Sequence, residues 1–182
     1  MSETLFTKLS KLDITIKPKQ EIVNDIIAYA EAAGYTTKEV NTDKPWGAYI
    51  RFVHDDANRF VEEFFPGLSP EEARLGVRGA ELSPKILLVT PQQRLSWQYH
   101  DRRAERWLFL TDGAYIKSMN NEQGEVSRVS RGSVVQFQTG ERHRLIGLET
   151  GALVAEIWQH TDPGFPSDED DIVRLDDDYS RS

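Results

Sequence analysis

The chain contains no cysteine. That excludes a disulfide framework and any thiolate metal site. A metal in this protein must rest on nitrogen and oxygen ligands. Histidine is scarce too: His54, His100, His143 and His160 are the whole set. Positive charge is in deficit, with 22 Lys and Arg against 30 Asp and Glu and a formal net charge of -8. Such a chain gains nothing from phosphate-backbone attraction, so nucleic acid is not an expected partner. No apolar run reaches the ~20 residues that a membrane helix needs. Met1 to Asp13 has neither the apolar core nor the small-residue cleavage site of a signal peptide. A cytoplasmic protein that avoids membranes is expected. Its 182 residues fit one domain with a short extension.

Three zones are readable. Residues 1–42 form a helical extension, in which Ile22, Val23, Ile26, Ile27 and Ala30 lie on one stripe of a helix over Lys19–Gly34. Residues 43–182 form the main domain. It opens with the turn Lys44-Pro45-Trp46-Gly47, a strand over Ala48–Val53, and short helices over Asp55–Phe65 and Ser69–Leu75. The second helix carries the start signal Ser69-Pro70-Glu71-Glu72. From residue 81 to 160, short β-rich runs alternate with turns: Ile86–Thr90, Leu95–His100, Glu105–Thr111, Ala114–Ser118, Glu125–Ser130, Ser133–Gln138, His143–Gly147 and Leu153–Gln159. Closely spaced strands with hairpin signals and no intervening helix predict a mainly all-β antiparallel sandwich or barrel. The tail from Asp162 onwards is acidic, but Ile172, Val173, Leu175 and Tyr179 interrupt its charges. That predicts an ordered segment folded back on the barrel.

The chemistry concentrates around residue 98. Side chains two apart on a strand share a face, so Gln98 and His100 point the same way. Glu105 opens the next strand across a short turn, and a hairpin brings it beside His100. His143 begins a later strand. Imidazole nitrogens with carboxylate and amide oxygens suit one divalent ion, zinc first, with manganese, iron or cobalt as alternatives.

The spacing Gln98-x-His100-x4-Glu105-x7-Gly113 resembles the first cupin motif, with Gln in place of its first His. Gly132-x5-Gln138-x-Gly140-x2-His143 resembles the second, with Gln138 at its usual Pro and Gly147 at its later Asn. The resemblance implies a cupin double-stranded β-helix, or jelly-roll barrel, over residues 43–182. It narrows further. The run from Leu95-Ser96-Trp97-Gln98 through Arg103-Ala104-Glu105-Arg106-Trp107 resembles the LSLQ-x-H-x-x-R-A-E-x-W block of type II phosphomannose isomerases. Asp43 to Gly47 resembles their PWG turn, Gly140 to Leu145 their G-x-x-HRL, and Asp170 to Arg181 their EDDIVR ending. The family implies metal-assisted interconversion of mannose 6-phosphate and fructose 6-phosphate, with Gln98, His100, Glu105 and His143 at the positions of its metal ligands. The chain departs from the family at Tyr99, Asp101 and Arg102, which replace a His-rich run, and at Gln92 and Arg106. Those changes bear on the substrate and leave the ligands intact.

Three residues are candidates for the catalytic roles. Arg103, two before Glu105, is a poor base but a suitable clamp for an oxyanion or phosphate. Arg144 is a second clamp candidate, although residues adjacent on a strand face opposite sides. Glu156 is either a general base in a half-dry barrel or an exposed strand residue. Lys85 and Lys117 read better as solvated surface lysines, and Arg174 and Arg181 as ion-paired within the acidic tail. Trp46, Trp97, Trp107 and Trp158 read mostly as core. Beside a sugar-phosphate isomerase stand an isomerase of another sugar, such as a heptose phosphate or a free aldose like lyxose, and a non-catalytic sugar-binding cupin. An iron dioxygenase is disfavoured by the amide ligand. Open sheet edges and the extension make a homodimer an expectation.

Overall fold

The computed structural model describes residues 3–181. Helices come first. α1 (Leu5–Ser10) is capped by the Thr4 side chain. α2 (Lys19–Ala32) buries Ile22, Val23, Ile26 and Ala30, the stripe expected from their spacing, and stops before Gly34, whose φ is +86°. β1 (Thr37–Asn41) then pairs with β2 (Gly47–Phe52), so residues 1–42 supply a strand as well as helices. α3 (Ala57–Phe64) buries Ala57, Phe60, Val61 and Phe64. α4 (Pro70–Ala73) starts with the expected signal: Ser69 and Glu72 form a capping box, with Pro70 in the first turn.

The remaining strands are β3 (Leu82–Val89), β4 (Trp97–Tyr99), β5 (Arg103–Phe109), β6 (Gly113–Ser118), β7 (Ser127–Val129), β8 (Val134–Phe137), β9 (Arg142–Ile146), β10 (Ala152–His160) and β11 (Val173–Asp176). They form two antiparallel sheets, ordered β1-β2-β3-β10-β5-β8 and β11-β4-β9-β6-β7. This is the mainly β antiparallel architecture that the alternating runs predicted, arranged as the jelly roll that the motif resemblance implied. The tail does fold back, since β11 pairs with β4.

The central strands of the six-stranded sheet, β2, β3, β10 and β5, are buried on both faces. Leu153, Ala155 and Ile157 of β10 join Leu82, Ile86 and Leu88 of β3 in one apolar cluster with the helices. The alternate residues Ala152 and Val154 face the barrel interior, with Leu87, Trp107, Phe109, Phe137 and Leu145. Two glycines admit close approaches there. A Cβ on Gly47 (φ +152°) would lie 1.8 Å from the Leu88 carbonyl oxygen, and one on Gly113 would lie 2.8 Å from the Phe109 ring. The Pro45-Trp46-Gly47 turn and the motif glycine are therefore packing requirements.

Candidate metal centre

The barrel interior polarises toward one end of β3, β10 and β5. Register places Lys85, Glu156 and Trp107 in one row across these strands, and Ser83, Trp158 and Glu105 in the next. β5 begins at Arg103, so Arg103 and Glu105 share the inward face. From the other sheet, Gln98 on β4 pairs in register with His143 on β9. The turn after β4 brings His100 to the same place. His100, Glu105 and His143 converge, each almost completely buried. His100 Nε2 lies 3.0 Å from Glu105 Oε1, His143 Nε2 lies 3.3 Å from Glu105 Oε2, and the two Nε2 atoms are 3.2 Å apart.

The outer contacts fix which ring nitrogens carry protons. His100 Nδ1 lies 3.0 Å from the Asp171 carbonyl oxygen, and His143 Nδ1 lies 2.9 Å from that of Glu141. A carbonyl only accepts, so in a neutral ring Nδ1 holds the hydrogen and Nε2 is bare. Arg103 Nη2 donates to His100 Nε2 at 3.2 Å, which requires a bare nitrogen. Burial, then the Arg103 charge, brings His100 down to about 4, so its ring is neutral. Burial opposes ionisation of Glu105, yet its carboxyl lies well below the usual range, and Arg103 Nε donates to its Oε1 at 3.0 Å. Two lone pairs and a carboxylate thus face one point, with each imidazole held from behind by a carbonyl. That donor set fits a divalent cation.

Glu105 and Gln98 present this centre to a cavity also walled by Trp46, Tyr49, Trp107 and Trp158. Trp107 Nε1 bridges two carboxylates, donating to Glu156 Oε2 at 2.9 Å and Glu105 Oε2 at 3.1 Å. Burial and then the Glu105 charge push Glu156 up to about 8. Burial lowers Lys85 to about 8 against the attraction of Glu156 and Glu169. Both groups sit in the range useful for proton transfer near neutrality. Two cations lie against the Trp158 ring, Lys85 Nζ at 3.2 Å and Arg103 Cζ at 3.5 Å from its centre.

A family model described as mannose-6-phosphate isomerase C-terminal matches residues 77–177. The chain belongs to this cupin family. Among solved structures, the chain is similar to oxalate decarboxylase from Bacillus subtilis, at 16% identity and a TM-score of 0.50, over 79% of this chain and 30% of that one. A point variant of the same enzyme gives 14% identity and 0.51, over 79% and 31%. Vicilin from Solanum lycopersicum (tomato) gives 12% and 0.46, over 70% and 32%. The two oxalate decarboxylase likenesses show the fold alone. The chain spans about 30% of the length of the oxalate decarboxylase chains. No curated relative matches it.

Several residues of this family member sit differently from expectation. Arg144 does not line the cavity. Its guanidinium donates to the Leu95 carbonyl at 2.8 Å and to the carbonyl and carboxylate of Asp176 at 3.0 and 3.1 Å, which ties β11 down. It faces away from His143 because adjacent strand residues do. Glu156 is not an exposed strand residue; it is 4% exposed. Lys85 is not a surface lysine; it is 2% exposed and lines the cavity. β3 begins at Leu82, four residues before the expected start, and period-two alternation then turns Lys85 inward. Pro84 hides this start: it has no N–H and lies just past the last β2–β3 pair, Arg51 with Lys85. Arg181 does pair with Asp177, at 2.8 Å, yet Arg174 and Arg181 also line the cavity. Trp97 lies outside it and donates to the Asn121 carbonyl.

A second buried pair invites a nucleophile reading. Ser83 Oγ and His160 Nε2 are 2.8 Å apart. But the Ser167 amide donates to His160 Nδ1, so Nε2 carries the hydrogen and donates to Ser83. An activated serine requires the reverse. The pair is a strut. No helix among the described residues is long and apolar enough to cross a membrane.

Proposed function

We propose that this family member is a metal-dependent aldose–ketose isomerase of a sugar phosphate, interconverting mannose 6-phosphate and fructose 6-phosphate. The observation that carries the reading is the adjacency of two features: the His100–Glu105–His143 convergence, and Glu156, bridged to Glu105 through Trp107 Nε1. Gln98 is the fourth donor, beside His143. A divalent cation held there, zinc first, supplies Lewis-acid polarisation of the sugar carbonyl and its neighbouring hydroxyl. Glu156 takes the proton from one carbon and returns it to the next. Lys85, opposite Glu156 on β3, holds a hydroxyl or exchanges its proton. Arg103, fixed by Glu105 and by the Ser167 hydroxyl at 2.8 Å, donates to the developing oxyanion. Lys44, Arg174 and Arg181 at the cavity wall suit the phosphate.

One observation favours a second reading, a free aldose such as lyxose. Glu169 lies 3.6 Å from Lys85 Nζ and 3.8 Å from Lys44 Nζ, where it offsets cations that a phosphate would use. The inward Glu156 and Lys85 speak against a purely binding cupin, because they supply the base such a protein would lack.

Proton NMR of fructose 6-phosphate in D2O tests the reading, with zinc-, manganese- or cobalt-loaded protein and a metal-free control. Metal-dependent exchange at C1, with mannose 6-phosphate appearing, is the expected outcome. Exchange only with unphosphorylated ketoses moves the assignment to a free sugar. The absence of exchange with any of these sugars, in protein shown to hold metal, rejects isomerisation.

A further inference from the structure

The two histidines of the centre are held in unequal ways. His143 Nδ1 uses the Glu141 carbonyl, two residues away on the same chain stretch. His100 Nδ1 uses the Asp171 carbonyl, from the C-terminal segment, 71 residues later. The Asp171 side chain grips the same place. Its Oδ1 accepts from the Asp101 amide at 3.0 Å and its Oδ2 from the Arg102 amide at 3.0 Å, the two peptides that follow His100. Oδ2 also accepts from Ser167 Oγ at 2.6 Å. Ser167 Oγ in turn accepts from Arg103 Nη1. Asp171 is 5% exposed although it stands in an acidic run. One residue therefore orients an imidazole with its main chain and locks the turn beneath that imidazole with its side chain. β11 continues the attachment, placing Val173 opposite Tyr99 and Arg174 opposite Gln98.

We propose that Asp171 is a positioning residue for the metal centre, and that docking of residues 167–176 and metal binding at His100, Glu105 and His143 form one coupled equilibrium. The inference rests on the metal reading of this site, and on no particular substrate. A second-sphere carbonyl fixes the direction of a ligating imidazole, and its loss typically weakens metal binding ~10–100-fold. Coupling is reciprocal. Whatever factor the docked segment adds to metal affinity, the metal adds to docking of the segment. Ordering His100 without a metal leaves two bare nitrogens facing each other; the cation removes that opposition and makes the docked arrangement the favoured one.

The test combines cobalt titration, by competition with a chromophoric chelator, with amide hydrogen exchange of the full chain. In the wild-type protein, saturating cobalt is expected to slow exchange across residues 167–176 by at least about tenfold, a factor in line with the second-sphere range. Amides of β10 serve as the internal reference. Asp171→Ala keeps the main-chain carbonyl but removes the anchors to the Asp101 and Arg102 amides that place it, and is expected to bind cobalt about 10-fold more weakly, at the low end of the second-sphere range, with a changed visible spectrum and with the cobalt-dependent slowing lost. Asp171→Asn keeps one acceptor and falls between. Asp178→Ala breaks the Arg94–Asp178 pair beyond β11 and is expected to bind cobalt as the wild type does. Wild-type binding with no slowing at 167–176 overturns the coupling. Wild-type affinity and spectrum in Asp171→Ala overturn the positioning role. A wild-type protein that binds no cobalt overturns the metal reading itself, and the proposal with it. Should Asp171→Ala fail to fold, the wild-type exchange measurement and Asp171→Asn decide the matter.

Discussion

The six-stranded sheet has two faces drawn from the same strands under opposite requirements. Toward the helices, β10 presents Leu153, Ala155 and Ile157, which share one apolar cluster with Phe60, Val61 and Phe64 of α3 and Ile22 and Ile26 of α2. Toward the barrel, the same strand presents Glu156, Trp158 and His160. Both sets are sealed from water. Depth of burial therefore fails to separate scaffold from site. What separates them is whether the buried groups are satisfied by contact alone or need charge to compensate charge. On the helix side, dispersion and the hydrophobic effect suffice. On the barrel side, Glu105, Glu156, Lys85 and Arg103 compensate one another's charge, with Trp107, Ser167 and Glu169 completing their contacts.

The largest expected effect breaks this symmetry of burial. Glu156→Gln should lower metal-dependent exchange by about 10²–10⁴-fold, the range for a positioned acid–base group, with no loss of thermal stability. Proton NMR in D2O and a melting curve on the same sample check both halves. A large fall in melting temperature with activity intact would place Glu156 in the scaffold.

Phe60→Ala is the opposite case. Phe60 is fully buried among the helices. Its truncation should destabilise by about 3–5 kcal/mol in urea unfolding, while the rate per folded molecule stays unchanged.

Reading these two faces from the sequence succeeds where the information is local. Gln98 with His100, and Arg103 with Glu105, are two apart, so alternation alone aligns each pair. His143 needs the strand order, which the motif spacing supplied by resemblance. Asp171 is illegible for a different reason. Within Asp170-Asp171, nothing distinguishes the buried carboxylate from its neighbour, because its partners lie about 70 residues upstream. Lys85 was hidden by Pro84, and β1 by its exposed residues, which show no apolar alternation.

Lys85 sharpens the comparison through pH. Burial lowers its folded value from 10.5 to about 8. Between pH 8 and 10.5 the unfolded chain binds more protons than the folded one, so this lysine makes stability rise with pH across that window. The penalty is fully present below pH 8, and is on the order of 3 kcal/mol. Lys85→Met in metal-free protein should abolish the rise, read by melting temperature at pH 7.5, 9 and 10.

The smallest effect lies outside both faces. The Arg128–Glu149 pair at 3.3 Å is mostly exposed, and Arg128→Ala should change stability by less than about 0.5 kcal/mol. A larger change by urea titration would mean that the β7 edge matters more than its exposure implies.

The alternation along β10 constrains how its gene can change. Single substitutions there test one face at a time and leave the other untouched. An insertion or deletion of one codon does not. Shifting the strand by one residue would carry Glu156 and Trp158 into the helix-packed layer, and Ala155 and Ile157 into the cavity. Drift in composition is open to this strand, whereas drift in length is closed, so alignments of related chains should run through residues 152–160 without a gap.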